Sequence, residues 1–92
     1  MKREARVIIS GMVQGVSFRY FVASMAKKAG VSGWVRNTED GKVEAVFEGD
    51  EDSVKKMVDS CRTGPPSSNV ESIDVRWGAY SGKYERFTIA SQ

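Results

Sequence analysis

The chain has 92 residues with 28% charged and 40% hydrophobic side chains, a net charge of +2, one cysteine and no histidine. That length makes one domain, residues 1–92, able to bury about 60–65% of its unfolded surface. Without histidine, Ser-His-Asp and Cys-His nucleophile systems, HExxH metal sites and histidine acid–base chemistry are excluded, and the slight positive excess suits small anions better than nucleic acid.

The charged opening "MKREAR" is followed by no signal-peptide core, and no run of 18 apolar residues occurs, so a soluble cytoplasmic protein without a membrane segment is expected. "ARVIIS" (5–10) is β-branched and short, a first strand. Gly11 to Gly15 form a corner. From Phe18 the apolar positions Phe18, Phe21, Val22, Met25, Ala26 and Ala29 step by three and four, one face of a helix. Gly30 stops it, with Val31 as the apolar contact that often follows a glycine C-terminal cap.

"VSGWVRN" (31–37) and "KVEAVFEG" (42–49) are the next strands, joined by "TEDG", whose Asp40-Gly41 pair suits a hairpin. Val43, Ala45 and Phe47 share a face. Asp50 is expected to cap a second helix, with Glu51 and Asp52 favouring its dipole. Glu48, Asp50, Glu51 and Asp52 could also suggest a metal, but an acidic first turn is the simpler reading, and no metal is expected. Val54, Met57, Val58 and Cys61 fall on that helix's inner face before Gly64-Pro65-Pro66 ends it. The lone Cys61 forms no internal disulfide and no zinc site, and is read as core.

"NVESIDVRW" (69–77) is a fourth strand, with Glu71, Ile73, Val75 and Trp77 on one side. After the turn "SGK", "RFTIA" (86–90) is a last short strand with Phe87 and Ile89 inward. The order is βαββαβ with an extra short C-terminal strand. It predicts an α+β, ferredoxin-like (split βαβ) two-layer sandwich, two helices on one face of a mostly antiparallel sheet.

The chemistry concentrates in "GMVQGVSFR" (11–19). A strand turning through glycines into a helix leaves backbone N–H groups without helical partners. Glycine lets N–H groups from about Gly15 to Arg19 converge as a nest, an anion site at a positive helix end. Arg19 could close over the same anion as a bidentate pair. A tight turn with a solvated arginine fits the pattern equally. Ser17 could contact the anion or cap the helix, and the cap is the first reading. Asn37, at the end of the second strand, could hold a water where a carboxylate would be repelled by a dianion; on pattern alone, starting the hairpin is the simpler role. Thr38 could fix Asn37 or belong only to the hairpin. The places of Trp34, Trp77, Tyr80 and Tyr84 are open.

The blocks "GMVQGVSFR" (11–19), "SGWVRNTEDGKVEAVFEG" (32–49), "GPPSSNV" (64–70) and "FTI" resemble the acylphosphatase family in order and length over nearly the whole chain. The resemblance implies a ferredoxin-like sandwich and hydrolysis of carboxyl-phosphate anhydrides without a cofactor. It places the phosphate on Gln14, Gly15, Val16, Ser17, Phe18 and Arg19, the essential arginine at Arg19 and the water-orienting asparagine at Asn37. Asn69 stands where many relatives carry a basic residue, and the closing "ASQ" lacks the basic residue that often follows the last strand. An acyl phosphate has a carboxylate leaving group that needs no protonation, which fits a chain without histidine. The expected partners are the acyl phosphate and its inorganic phosphate product, with no nucleic acid or membrane. Nothing demands an oligomer, so a monomer is expected. The alternative is a non-catalytic phosphate or phospho-metabolite binding module. A ferredoxin-like RNA-binding domain would need exposed aromatics on its central strands, where only Phe47 stands.

Overall fold

The computed structural model describes residues 1–90; Ser91 and Gln92, the end of the "ASQ" tail, lie outside them. The elements are β1 (Lys2–Met12), α1 (Phe18–Ala29), β2 (Ser32–Asn37), β3 (Val43–Asp50), α2 (Glu51–Thr63), β4 (Asn69–Ala79) and β5 (Phe87–Ile89). The sheet runs β4-β1-β3-β2-β5, antiparallel except for the parallel β2–β5 pair. The split βαβ arrangement is therefore present, with β5 added at the β2 edge.

Alternation sends Ala5, Val7 and Ile9 of β1 and Val43, Ala45 and Phe47 of β3 into one core. Helix positions three and four apart meet them: Phe18, Val22 and Ala26 from α1, and Val54, Met57, Val58 and Cys61 from α2. Burial pushes the Cys61 thiol up to about 12, which makes it an inert core residue. Helix α1 ends as its sequence suggests. Gly30 is left-handed, the Val31 N–H donates to the Ala26 carbonyl at 3.0 Å, and Val31 is buried. Phe47 and Phe87 flank Gly33 in register and stack at 5.6 Å, and a Cβ on Gly33 would run into the Val46 carbonyl of β3.

Four expectations change. The first strand extends through Gly11, whose φ of 127° and backbone contact with β4 exclude a side chain: a Cβ there would lie 2.2 Å from the Asn69 carbonyl oxygen. Gly11 thus serves strand packing rather than the corner. Opposite it the register skips Glu71, so Val70 turns toward the core and Glu71 stays exposed. Ile89 is exposed because β5 is the outermost strand and only Phe87 reaches the core. Asp50 stands at the α2 cap position, but its side chain makes no cap hydrogen bond.

The acidic cluster also separates. Glu48 is fully buried, and its carboxylate accepts from the Ser81 hydroxyl at 2.8 Å and from the Ser81 and Gly82 amides at 3.0 and 3.1 Å. Among the described residues no three His, Cys, Asp or Glu side chains gather as a metal site. Burial alone would raise the Glu48 carboxyl, but hydrogen bonds from Glu4, Ser81 and Gly82 together hold it below its ordinary range. The neighbouring Glu4 is pushed the opposite way, raised by burial and by Glu48. A depressed carboxyl stabilises the fold above its unfolded pKa, and that contribution disappears as pH falls through the folded value. Glu48→Gln is therefore expected to lower stability at neutral pH by about 1–3 kcal/mol, the cost of leaving buried donors unmatched. The variant should also flatten the loss of stability on acidification, measured by urea unfolding at neutral and acidic pH. An unchanged acid dependence would exclude this role.

Candidate active site

The strand-to-helix segment and the β2–β3 hairpin meet at one end of the sheet. Gly15 has φ 73° and Ser17 has φ 63°, on either side of Val16 with negative φ. This alternation curves the backbone so that successive N–H groups turn toward one concavity. Ser17 is the only non-glycine residue with positive φ among the described residues, a conformation costing about 1–2 kcal/mol for an L-residue. It occupies the α1 cap position, yet its side chain makes no cap hydrogen bond, which corrects the capping role expected for it. The first helical bond runs from the Phe21 N–H to the Ser17 carbonyl at 3.0 Å, so Phe18, Arg19 and Tyr20 have amides without helical acceptors.

Those residues border a pocket of about 230 Å³ lined by Val13, Gly15, Ser17, Phe18, Arg19, Tyr20 and Asn37. Arg19 and Asn37, 18 positions apart in sequence, thus face one cavity. The Arg19 guanidinium makes no salt bridge among the described residues. The Asn37 Oδ1 is buried with no hydrogen-bond partner. Buried polar atoms are nearly always satisfied, so an orphan acceptor in a polar cavity is a place for water or ligand. Open amides and a free guanidinium can receive an oxyanion, and the orphan acceptor can hold a water beside it.

Gln14 and Val16 do not line the pocket. The Gln14 Nε2 donates to the Thr38 and Lys42 carbonyls, each at 2.8 Å, and ties the loop to the hairpin that carries Asn37. Val16 packs on the core, and its carbonyl accepts from the Ser67 hydroxyl at 2.9 Å. The "GPPSSNV" block is thus a buttress. A Cβ on Gly64 would sit 2.5 Å from the Phe18 ring, so glycine is required where that ring passes.

Thr38 belongs to the hairpin. Its hydroxyl donates to the Asp40 carboxylate and accepts from the Lys42 N–H at 3.0 Å. That hydroxyl, with Lys42 nearby, keeps the Asp40 carboxyl below its ordinary range. Val13 and Tyr20 are pocket residues that sequence reasoning missed; their only signal is adjacency to the glycine loop and to Arg19. Trp34 lies on the helix-free side of the sheet. Trp77 lies on the other, at the edge beside α2, with the Arg3 guanidinium 4.7 Å from its ring centroid.

Residues 5–89 match the family model described as Acylphosphatase. An acylphosphatase of Roseiflexus sp. (strain RS-1) is 54% identical over 85 residues, covering 92% of this chain and 91% of that one. One of Syntrophobacter fumaroxidans is 51% identical over 88 residues, covering 96% and 91%. The crystal structure of acylphosphatase from Bacillus subtilis superposes with a TM-score of 0.92 at 40% identity, covering 98% of this chain and 99% of that one.

Proposed function

Because the chain belongs to the acylphosphatase family, and is thus a hydrolase of acyl phosphates, we propose that the Gly15–Asn37 pocket is where the reaction occurs. The observation that carries this reading is the orphaned Asn37 Oδ1 in a cavity shared with Arg19 and the open amides. The phosphoryl group lies in the nest from Gly15 to Arg19, with the Arg19 guanidinium across its oxygens. Gln14 acts as a positioning residue through its hairpin bonds rather than as a phosphate contact.

A water accepted by Asn37 attacks phosphorus in line with the departing carboxylate. The new P–O bond forms as the P–O bond to the acyl group breaks, and the carboxylate leaves with the bonding pair. A phosphate oxygen of the substrate takes the water's proton, so no protein acid or base is required. Phosphoryl transfer asks mainly for positioning and charge stabilisation, which the nest, Arg19 and Asn37 supply. Family membership sets aside the non-catalytic module reading.

Purified protein is expected to release benzoate and inorganic phosphate from benzoyl phosphate at the same rate with and without a chelator. Loss of activity with chelator would refute the metal-free mechanism. Among the described residues no helix is long and apolar enough to cross a membrane. We place the protein in the cytoplasm as a monomer that binds neither nucleic acid nor membrane, in keeping with its buried free thiol and modest charge.

A further inference from the structure

The side of the sheet away from the helices carries a second cavity, of about 500 Å³, lined by Arg6, Trp34, Arg36, Tyr84, Thr88 and Ala90. It shares no residue with the catalytic pocket. Arg36 and Asn37 are neighbours on β2, and strand alternation sends them to opposite faces. Glu44 of β3, largely buried, organises the site. Its Oε2 accepts from the Arg6 Nη1 at 3.0 Å, and its Oε1 accepts from the Arg36 Nε and Nη2 at 2.9 and 2.6 Å. Both guanidiniums also lie over the Trp34 ring, 5.7 and 5.6 Å from its centroid.

We propose that this cleft binds a small planar aromatic anion, a flat ring carrying a carboxylate or a phosphate. Two cations on one carboxylate leave one positive charge uncompensated. Arg6 uses one N–H on Glu44 and Arg36 uses two, so most of each donor fork remains available. The largely buried Glu44 needs a cationic partner, and one guanidinium would meet that need, so fold stability does not account for the second. What the arrangement supplies is orientation: two planar forks fixed beside an indole, with the Tyr84 ring bordering the same space.

A cavity of this size lies within the usual range, roughly 300–1,000 Å³, of small-molecule sites. A nucleic-acid strand fits the same surface poorly. Glu4 and Asp74 interrupt the positive charge along this face, and among the described residues Trp34 is the only aromatic that the strands place on it.

The test uses a Trp77→Phe background, where Trp34 contributes the single indole N–H resonance. AMP and 2-naphthoate supply the ring with phosphate or carboxylate; ribose 5-phosphate supplies the phosphate alone. A saturable shift of the indole signal is expected with at least one ring-bearing anion and not with ribose 5-phosphate. Whichever probe succeeds identifies the anionic group. Arg36→Gln should weaken binding at least roughly tenfold, the loss expected for a charge-assisted hydrogen bond. Tyr84→Ala, a change on a loop rather than a strand, should weaken it as well, and the full amide spectrum reports whether each variant is folded. Saturating inorganic phosphate should leave the shift in place, because it competes only at the catalytic pocket. The proposal is overturned by the absence of a saturable shift with either ring anion, by equal affinity in the folded variants, or by displacement with inorganic phosphate. None of these outcomes bears on acyl phosphate hydrolysis, which the benzoyl phosphate assay reads separately.

Discussion

Arg19→Ala is expected to reduce turnover of an acyl phosphate by roughly 10²–10³-fold, the usual loss when one preorganised donor to developing charge is removed. Phosphate affinity should fall with it, seen as a weaker competitive inhibition constant for inorganic phosphate, because in the proposed mechanism the guanidinium contacts the phosphoryl oxygens before and during transfer. The protein should stay folded. Arg19 makes no salt bridge among the described residues, and its removal opens no core cavity. Arg19→Lys separates charge from shape: it keeps the positive charge but loses the planar fork, so its activity should lie between those of parent and alanine variant. An alanine variant whose turnover stays within a fewfold of the parent would mean that the amides carry the phosphate alone.

Local pattern was enough for the helices and the strand order, because the chain's signals agree there. The stepping of Phe18, Val22 and Ala26, the stop at Gly30 and the alternation of Val43, Ala45 and Phe47 all reappear in the core. What pattern could not reveal are contacts between distant segments. Gln14 sits between two glycines like any loop residue, and its role exists only through carbonyls 24 and 28 positions away. The bond from Ser67 to Val16 spans 51 positions, and only the fold creates it. Glu71 leaves the side that simple alternation predicts, because a bulge has no consistent mark in the chain where it occurs.

The candidate site is legible in the sequence as a glycine loop with an arginine, but its departures from local rules are not. Serine before a helix is ordinarily a cap, yet here Ser17 takes a left-handed conformation and leaves the first amides open. A left-handed non-glycine residue, an uncapped helix start and an orphan acceptor all occur around one pocket. Each opposes stability by itself. A bound oxyanion and its attacking water would answer the open amides and the orphan acceptor together, the kind of local conflict that functional sites retain.

Asn37 allows that conflict to be measured. In Asn37→Ala, turnover is expected to fall by roughly 10²-fold, because a misplaced nucleophile loses the advantage of orientation. The inhibition constant of inorganic phosphate should change little, since the nest and Arg19 are intact. Stability should not follow activity. Oδ1 makes no hydrogen bond within the protein among the described residues, so the alanine variant should unfold at about the same urea concentration as the parent. A residue serving only the hairpin would behave differently: its loss would lower stability, and activity would decline only as the fold did. Asn37→Asp adds a further distinction. It keeps an acceptor for water but sets a carboxylate beside a dianion, so both turnover and phosphate affinity should drop through repulsion. Normal turnover in the alanine variant would eliminate water placement by Asn37, whatever happened to stability.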